Sequence, residues 1–296
     1  MPGPSNMPKS KIGLMPWVLV QTGLPHGRQL NADGSEAKVY ERKNGQICLT
    51  MQADVSADGL PFGKMPRMLM AHLVVEFKKA NKNKTFQEAR TIDLGRSQAM
   101  FLKAIGSKNT GGKKGMINRL QQQTHRLTTC NITTRSIFDD DVDIPSWKRA
   151  SWDRRSVADS ARLWWNPTSD NPKVQCLFPS YIRLSEYFAE ACQVAIPVDM
   201  HTMIALKSSF AIDLYTWLSY RAGKLWDNGD PPAEIPWPLL MLQFGHNYAR
   251  EVDFRKAFRK YLGQVIQHHP VRVDHKSWPK GIVVYPHPPH VKRRKN

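Results

Sequence analysis

Arg255, Lys256, Arg259 and Lys260 recur at helical spacing, and Phe254, Phe258, Tyr261, Leu262 and Val265 fall on the opposite side of the same helix. A helix with cations facing an apolar stripe does one kind of chemistry well. Its arginines can meet guanine edges with paired N–H donors, and its lysines can neutralise phosphates. On its own such a pattern usually marks a solvated face, but the charge around this one argues for more. From Arg250 to Asn296 twelve Lys or Arg stand against Glu251, Asp253 and Asp274, a net of +9 that includes the flanking Arg250, Lys276 and Lys280. From Leu94 to Phe138 eight Lys or Arg stand against no acid at all. These two stretches carry 17 of the formal +18 of the 296-residue chain, so the remainder is close to neutral. Two focused basic patches on a neutral scaffold fit a polyanion gripped at two points, and double-stranded DNA is the commonest such partner.

The N-terminal patch centres on GSKNTGGKKG, Gly106 to Gly115. Gly106 and Gly111 have the spacing of a phosphate-binding P-loop, but Gly112 stands where that loop needs Lys, and no Ser or Thr follows to hold magnesium. The segment predicts a turn whose amides, with Lys108, Asn109, Lys113 and Lys114, meet DNA phosphate without ATPase chemistry. It opens a helix from Met116 to about Thr128, with Ile117, Leu120, Thr124 and Leu127 inward and Asn118, Arg119, Gln122 and Arg126 outward. Asp139, Asp140, Asp141 and Asp143 could hold a metal for nuclease work. No Glu or His stands nearby at helical spacing, and a solvated acidic loop is the simpler reading. His268 with His269, and His287 with His290, lack the alternating strand pattern of a nicking enzyme. No catalytic residue, metal or cofactor is expected. Cys48, Cys130, Cys176 and Cys192 lie far apart with no CxxC pair, which predicts reduced core thiols.

These faces need elements to hold them. Asn44 and Gly45, between two strand-like runs, predict a hairpin over Val39 to Met51. Pro66 opens an apolar helix with Met68, Leu69, Leu73 and Phe77 spaced for burial. Thr91 to Leu94 reads as a strand, Ser97 as the cap of a helix to about Ile105, and Asn131 to Phe138 as a strand. Ala161 to Trp165 with Val174 to Phe178 form a second hairpin. Helix, helix, basic helix, β-hairpin is the order of a winged helix. The order recurs after a linking helix over Leu184 to Cys192: an amphipathic helix from Ala205 to Arg221, a short one from Pro236 to Phe244 closed by Gly245, and the basic helix from Val252 to Gln267. Strands at Val271 to Val273 and Ile282 to Tyr285 complete it.

The fold class predicted is therefore α+β, with two tandem winged-helix domains, each a helix-turn-helix plus a β-hairpin. A Pro- and Gly-rich arm over residues 1–35 lies on the first domain. Residues 36–178 form the N-terminal domain, residues 179–290 the C-terminal domain, and residues 291–296 a basic tail. No apolar run reaches membrane-spanning length, and Pro16 interrupts the one stretch that imitates a signal peptide. A cytoplasmic protein with no membrane partner is expected.

Several long stretches carry a family resemblance. They are MPWVLVQTGLPHG (Met15 to Gly27), RKNGQICLT (Arg42 to Thr50), GLPFGKMPRMLMAHL (Gly59 to Leu73), TIDLGRSQAMFLKAIG with the following GGKKG, IPVDMHTMIALKSSFAIDLYTWLSYR (Ile196 to Arg221) and GIVVYPHPPHV (Gly281 to Val291). The chain resembles plasmid replication initiators of the RepA type from Met15 to about Pro289. The resemblance implies a bacterial, plasmid-encoded, sequence-specific origin binder with no chemistry of its own. Iteron-binding initiators of related architecture carry two winged helices. The C-terminal one reads the major groove of short direct repeats, and the N-terminal one contacts backbone and mediates dimerisation.

Carried onto this chain, base reading falls to Arg255, Lys256, Arg259 and Lys260, and backbone contact to Lys108, Asn109, Lys113, Lys114, Asn118, Arg119 and Gln122. Dimers would form through the hairpin Val39 to Met51 or the helix from Pro66. Several copies on repeats would strain the duplex, help melt A·T-rich DNA and recruit the host initiator and replicative helicase. Dimers would repress the protein's own gene, and monomers would act on the repeats. Two rivals stay open: a winged-helix transcriptional repressor without a replication role, and a metal-dependent rolling-circle nickase, for which the sequence supplies neither ligands nor nucleophile.

Overall fold

Short-range chemistry accounts for most of the elements. The computed structural model describes residues 12–45, 47–95, 102, 115–137, 150–163 and 180–291 of the chain. In the first half, β1 (Ile12–Pro16) runs into α1 (Trp17–Thr22), and β2 (Val39–Asn44) turns at Gly45, whose φ of +57° suits glycine, into β3 (Ile47–Gln52). Then come α2 (Lys64–Ala80), α3 (Phe86–Ala89), β4 (Thr91–Gly95), α4 (Met116–Thr129), β5 (Asn131–Ile137), β6 (Ala150–Ser156), β7 (Ala158–Arg162) and β8 (Ser180–Leu184). The second half holds α5 (Glu186–Ala191), β9 (Ala195–Asp199), α6 (Met200–Ala205), α7 (Ser209–Asn228) and β10 (Ala233–Pro236). It closes with α8 (Trp237–Phe244), α9 (Glu251–His268), β11 (Val273–Asp274) and β12 (Gly281–Val284).

Capping side chains set several helix starts. Thr85 and Glu88 close a reciprocal capping box on α3, Ser185 caps α5, and Asp199 caps α6 by accepting from the Thr202 amide at 2.9 Å. All described strand pairs are antiparallel. The order β4-β8-β7 in the first half matches β10-β12-β11 in the second: the strand that precedes the helices sits at one edge, and the last strand lies in the middle. The β5–β6 pair is inserted between α4 and β7 and extends the β2–β3 hairpin into a four-stranded sheet, order β2-β3-β5-β6. A single apolar core runs through both halves, from Leu19 and Met68 to Phe210 and Phe258.

Several sequence expectations change. The arm does pack on α2, but β1 pairs with β9, Ile12 opposite Asp199 and Pro16 opposite Ala195, so it clasps the second half as well. The helix expected from Ala205 begins at Ser209 and runs to Asn228, because the Asp199-capped α6 occupies Ala205. Ala161 and Arg162 lie in β7, whose partner is β8, while Val174 to Phe178 fall outside the described residues. Since β8 is the central strand between β4 and β7, a division at residues 178 and 179 cuts through a sheet of the first half.

The helix from Pro66 offers no apolar face for dimerisation, because Met65 to Met70, Leu73, Val74 and Phe77 of α2 are all buried. The hairpin of β2 and β3 keeps an edge at β2, with α8 packed against that strand. Cys48, Cys130 and Cys192 are buried and in no disulfide, and burial pushes the Cys130 thiol up to about 12. Cys176 and Asp139 to Asp143 lie outside the described residues. Among the described residues no helix is long and apolar enough to cross a membrane.

Candidate nucleic-acid interface

α9 is fixed by aromatic packing. Phe254, Phe258, Leu262 and Val265 are buried, and Tyr261 stacks on Phe210 of α7 at 4.9 Å between centroids. Phe254 and Phe258 also meet the ring of Trp237, the first residue of α8, edge to face at 6.4 Å and 5.5 Å. With that face committed to the core, Lys256, Arg259 and Lys260 are exposed on the other. Arg255 differs from the expectation of a freely solvated side chain. It is only 33 % exposed, pairs with Glu251 one turn earlier, and holds its guanidinium over the Trp237 ring at 5.4 Å. The Arg259 guanidinium lies over the same ring at 5.3 Å. Arg250, ahead of the helix, is exposed and bonded to Asp253 at 2.7 and 3.1 Å.

The turn between β11 and β12 carries Lys276 and Lys280, both exposed. Asp274 shapes it by accepting from the amides of Lys276 at 2.8 Å and Ser277 at 3.0 Å. Those backbone bonds, Ser277 first, hold the Asp274 carboxyl down at about 2. The one acid in this basic turn thus has a structural task. Gly281 ends the turn where a Cβ would stand 2.1 Å from the Ile235 carbonyl oxygen, so glycine is what lets β12 pair with β10 there. Arg272 lies over the Tyr285 ring at 3.9 Å and adds an exposed cation beside the turn.

In the first half, α4 buries Leu120, Thr124 and Leu127 and leaves Asn118, Arg119, Gln122 and His125 exposed. With Asp58 and Gln121 these line a concavity of about 620 Å³. Gln122 donates to Asp58 Oδ2 at 3.2 Å, and His125 Nε2 donates to the Ser56 carbonyl at 3.3 Å. Arg126, expected outward, points inward. Its side chain is 3 % exposed, donates to the Leu60 carbonyl at 3.1 Å and to Glu36 at 3.2 Å, and covers the Phe62 ring. Glu36, far away in sequence, supplies the counter-charge that makes this burial tolerable. Lys108, Asn109, Lys113 and Lys114 lie outside the described residues.

No group of three His, Cys, Asp or Glu able to hold a metal occurs among the described residues. The geometry is that of two helices with polar outer faces, each followed by a strand pair, and comparison with known proteins supplies their context. The sequence model of the family described as "Plasmid encoded RepA protein" matches residues 60–237, more than half of the chain. The chain belongs to this family. It is a family of plasmid replication initiators, for which DNA binding at an origin is implied.

No curated protein matches the chain. Among solved structures, domains 2–3 of RctB superpose over 90 % of this chain and 94 % of that one with a TM-score of 0.51 at 8 % identity. A selenomethionine form of domain 2 and domain 3 of RctB covers 84 % of this chain and 85 % of that one, with a TM-score of 0.49 and 8 % identity. Identity that low speaks to the fold alone. The RepA family match spans α2 to the start of α8, so α9 and its neighbouring turn lie beyond it.

The residue that sequence reasoning passed over is Trp237. Its only trace in the sequence is the start of a short apolar helix, whereas its partners Arg255 and Arg259 show their i, i+4 spacing directly.

Proposed function

We propose that this chain is the origin-binding initiator of its plasmid, built from two tandem winged helices, and that it works by binding alone, without a catalytic step, metal or cofactor. The observation that carries this reading is the repeated unit. Each half has a long leading helix, an edge strand, a helix with a polar outer face, and a two-stranded hairpin whose return strand is central: α2, β4, α4, β7 and β8, then α7, β10, α9, β11 and β12. A helix so placed enters a major groove, and the adjoining hairpin meets the flanking backbone. In this reading Arg255, Lys256, Arg259 and Lys260 read base edges. Arg250, Lys276 and Lys280 hold phosphates beside them, and Asn118, Arg119 and Gln122, with Lys108, Asn109, Lys113 and Lys114 ahead of α4 in the sequence, hold backbone.

The sites are direct repeats, or iterons, at the origin. Several copies bend the duplex, binding energy favours opening of adjacent A·T-rich DNA, and the assembly recruits the host initiator and replicative helicase. Dimers occupy the operator of the protein's own gene. DNase footprinting across the plasmid segment beside the gene tests the core of this reading. Protection should recur about every two helical turns on one face of the duplex, the spacing that successive groove contacts require. Uniform protection, or strand cleavage in magnesium with covalently linked protein, would overturn it.

A further inference from the structure

Trp237 touches both elements to which the proposed function gives DNA contact, yet it is 0 % exposed and cannot itself meet DNA. Its backbone amide donates to the Lys280 carbonyl at 3.0 Å, and its indole Nε1 donates to the Pro279 carbonyl at 3.2 Å. The base of the β11–β12 turn is thereby tied to the first residue of α8. Its ring meets those of Phe254 and Phe258 edge to face, and the guanidinium groups of Arg255 and Arg259 lie over it. We infer that Trp237 is a positioning residue, which sets the planes of these two arginines and their register with the turn carrying Lys276 and Lys280.

A guanidinium over an aromatic ring keeps its N–H donors in its own plane, and those not already bonded or buried can meet a guanine edge. Glu251 takes one edge of Arg255 and restricts the swing of that plane further. An arginine free in water must freeze several torsions before it can make a bidentate contact, and that cost falls on affinity for the correct base. Here the cost is met when the protein folds. Of the α9 lysines, Lys260 lies over Tyr261 of its own helix at 5.8 Å rather than over a ring tied to the turn. Arginines held over the indole and lysines exposed to solvent divide the face into a part that discriminates and a part that attracts.

This inference rests on the origin-binding reading, and its test separates the two. Binding of the full chain to an origin repeat and to random duplex is measured across a salt series, with folding checked by circular dichroism. A wild-type chain that shows no preference for the repeat ends the origin-binding reading itself. Given that preference, Trp237→Leu should lower it about tenfold, the order of one bidentate arginine–guanine pairing, while the salt slope stays unchanged because every cation is retained. Trp237→Phe, which restores a ring beneath the arginines, should return the preference to within about threefold of wild type.

Arg255→Ala with Arg259→Ala should cost much less in the Leu background than in the wild type, since positioning makes the effects non-additive. A purely structural Trp237 would lower the melting temperature, leave the preference of the folded protein intact and give additive effects. That result overturns the inference. If Trp237→Leu does not fold, Trp237→Phe carries the test. Lacking the Nε1 donor, it should at least halve the fold-loss caused by Lys276→Ala with Lys280→Ala, and an unchanged loss overturns the inference equally.

Discussion

Arg67 and Asp213 meet in the middle of the molecule as a bidentate pair, Nε to Oδ1 at 2.6 Å and Nη2 to Oδ2 at 2.5 Å. Arg67 is 0 % exposed, and its other three donors go to the carbonyls of Leu24, Pro25 and Gly63. All five guanidinium N–H groups therefore have acceptors. His26 Nε2 donates to Asp213 Oδ2 at 3.0 Å. Burial works against the Asp213 carboxylate, but the Arg67 charge, with bonds from Arg67 and His26, outweighs it and holds the carboxyl below its ordinary value. Arg67 stands in the first turn of α2 and Asp213 early in α7, so the leading helices of the two halves are joined at corresponding places.

Asp213→Asn keeps the shape of this junction and removes its negative charge. Leaving a buried guanidinium without its counter-ion should cost about 3–5 kcal/mol, read as a lower urea midpoint at pH 7. Arg67→Met with Asp213→Leu should recover most of the loss, because no charge is then stranded. Since the pair and the core span both halves, wild-type unfolding followed by far-ultraviolet circular dichroism and by tryptophan fluorescence should coincide in one transition. Two separated transitions would mean that the halves are independent.

The sequence spoke clearly where structure is local. The Asn44-Gly45 turn, the Phe254 to Val265 stripe, the short helix closed by Gly245 and the strand at Thr91 all appear where the residues put them. It was silent where a partner arrives from far along the chain. Arg126 reads as outward by helical periodicity until Glu36 comes into place beside it, and Arg255 reads as solvated until Trp237 slides beneath it. The pairing of β1 with β9 has no signal in either strand alone. Strand order depends on which edge is left free after the helices dock, so β8 looked like the start of a new unit when it is the closing strand of the old one.

Arg126 gives a direct test of that distinction. Arg126→Ala should destabilise the fold by about 1–3 kcal/mol, the cost of leaving the Leu60 carbonyl without its donor and the half-buried Glu36 carboxylate with Arg28 as its remaining partner. DNA affinity and salt slope of the folded protein should remain those of the wild type. Arg119→Ala should do the reverse, with stability within about 0.5 kcal/mol and the salt slope flatter by about one phosphate's worth. A fall in DNA affinity for Arg126→Ala at full folding would return that residue to the interface.

Acid should loosen the protein from the end of α9. His269 is 1 % exposed, stacked on His290 at 4.6 Å and perpendicular to His287 at 5.3 Å and Tyr215 at 5.8 Å, and neither ring nitrogen has a partner among the described residues. Burial first, then the neighbouring His290 and His287, push it down to about 3. His290, which shares a 2.9 Å hydrogen bond with Tyr215, and His26 are also lowered, chiefly by burial. The folded state disfavours protonation of these rings, His269 most, whereas the unfolded chain takes up protons below its ordinary value of 6.5. Their contribution to stability is therefore complete above pH 6.5 and falls as pH drops below it, for His269 down towards 3, by at most about 1.4 kcal/mol per pH unit per histidine. Denaturation midpoints from pH 8 to 5 should be flat and then decline, and His269→Phe should reduce the slope by about one proton. An unchanged slope would mean that His269 is protonated in the folded state.

The four cations of α9 should separate into two pairs under mutation, and this is the sharpest consequence of the geometry. Arg255→Ala with Arg259→Ala removes two groups that cover an indole as well as two base readers. Melting should fall by the equivalent of about 0.5–1 kcal/mol for each cation–π interaction removed, while preference for the origin repeat over random DNA collapses. Lys256→Ala with Lys260→Ala takes away exposed point charges. Stability should stay within about 0.5 kcal/mol, and both DNAs should bind more weakly by similar factors, with the salt slope reduced by about 0.9 for each phosphate no longer neutralised. Binding isotherms on repeat and random duplexes at several salt concentrations, alongside thermal melts, decide the matter. Equal effects of the two pairs on preference would mean that the contact with Trp237 confers no advantage in reading bases.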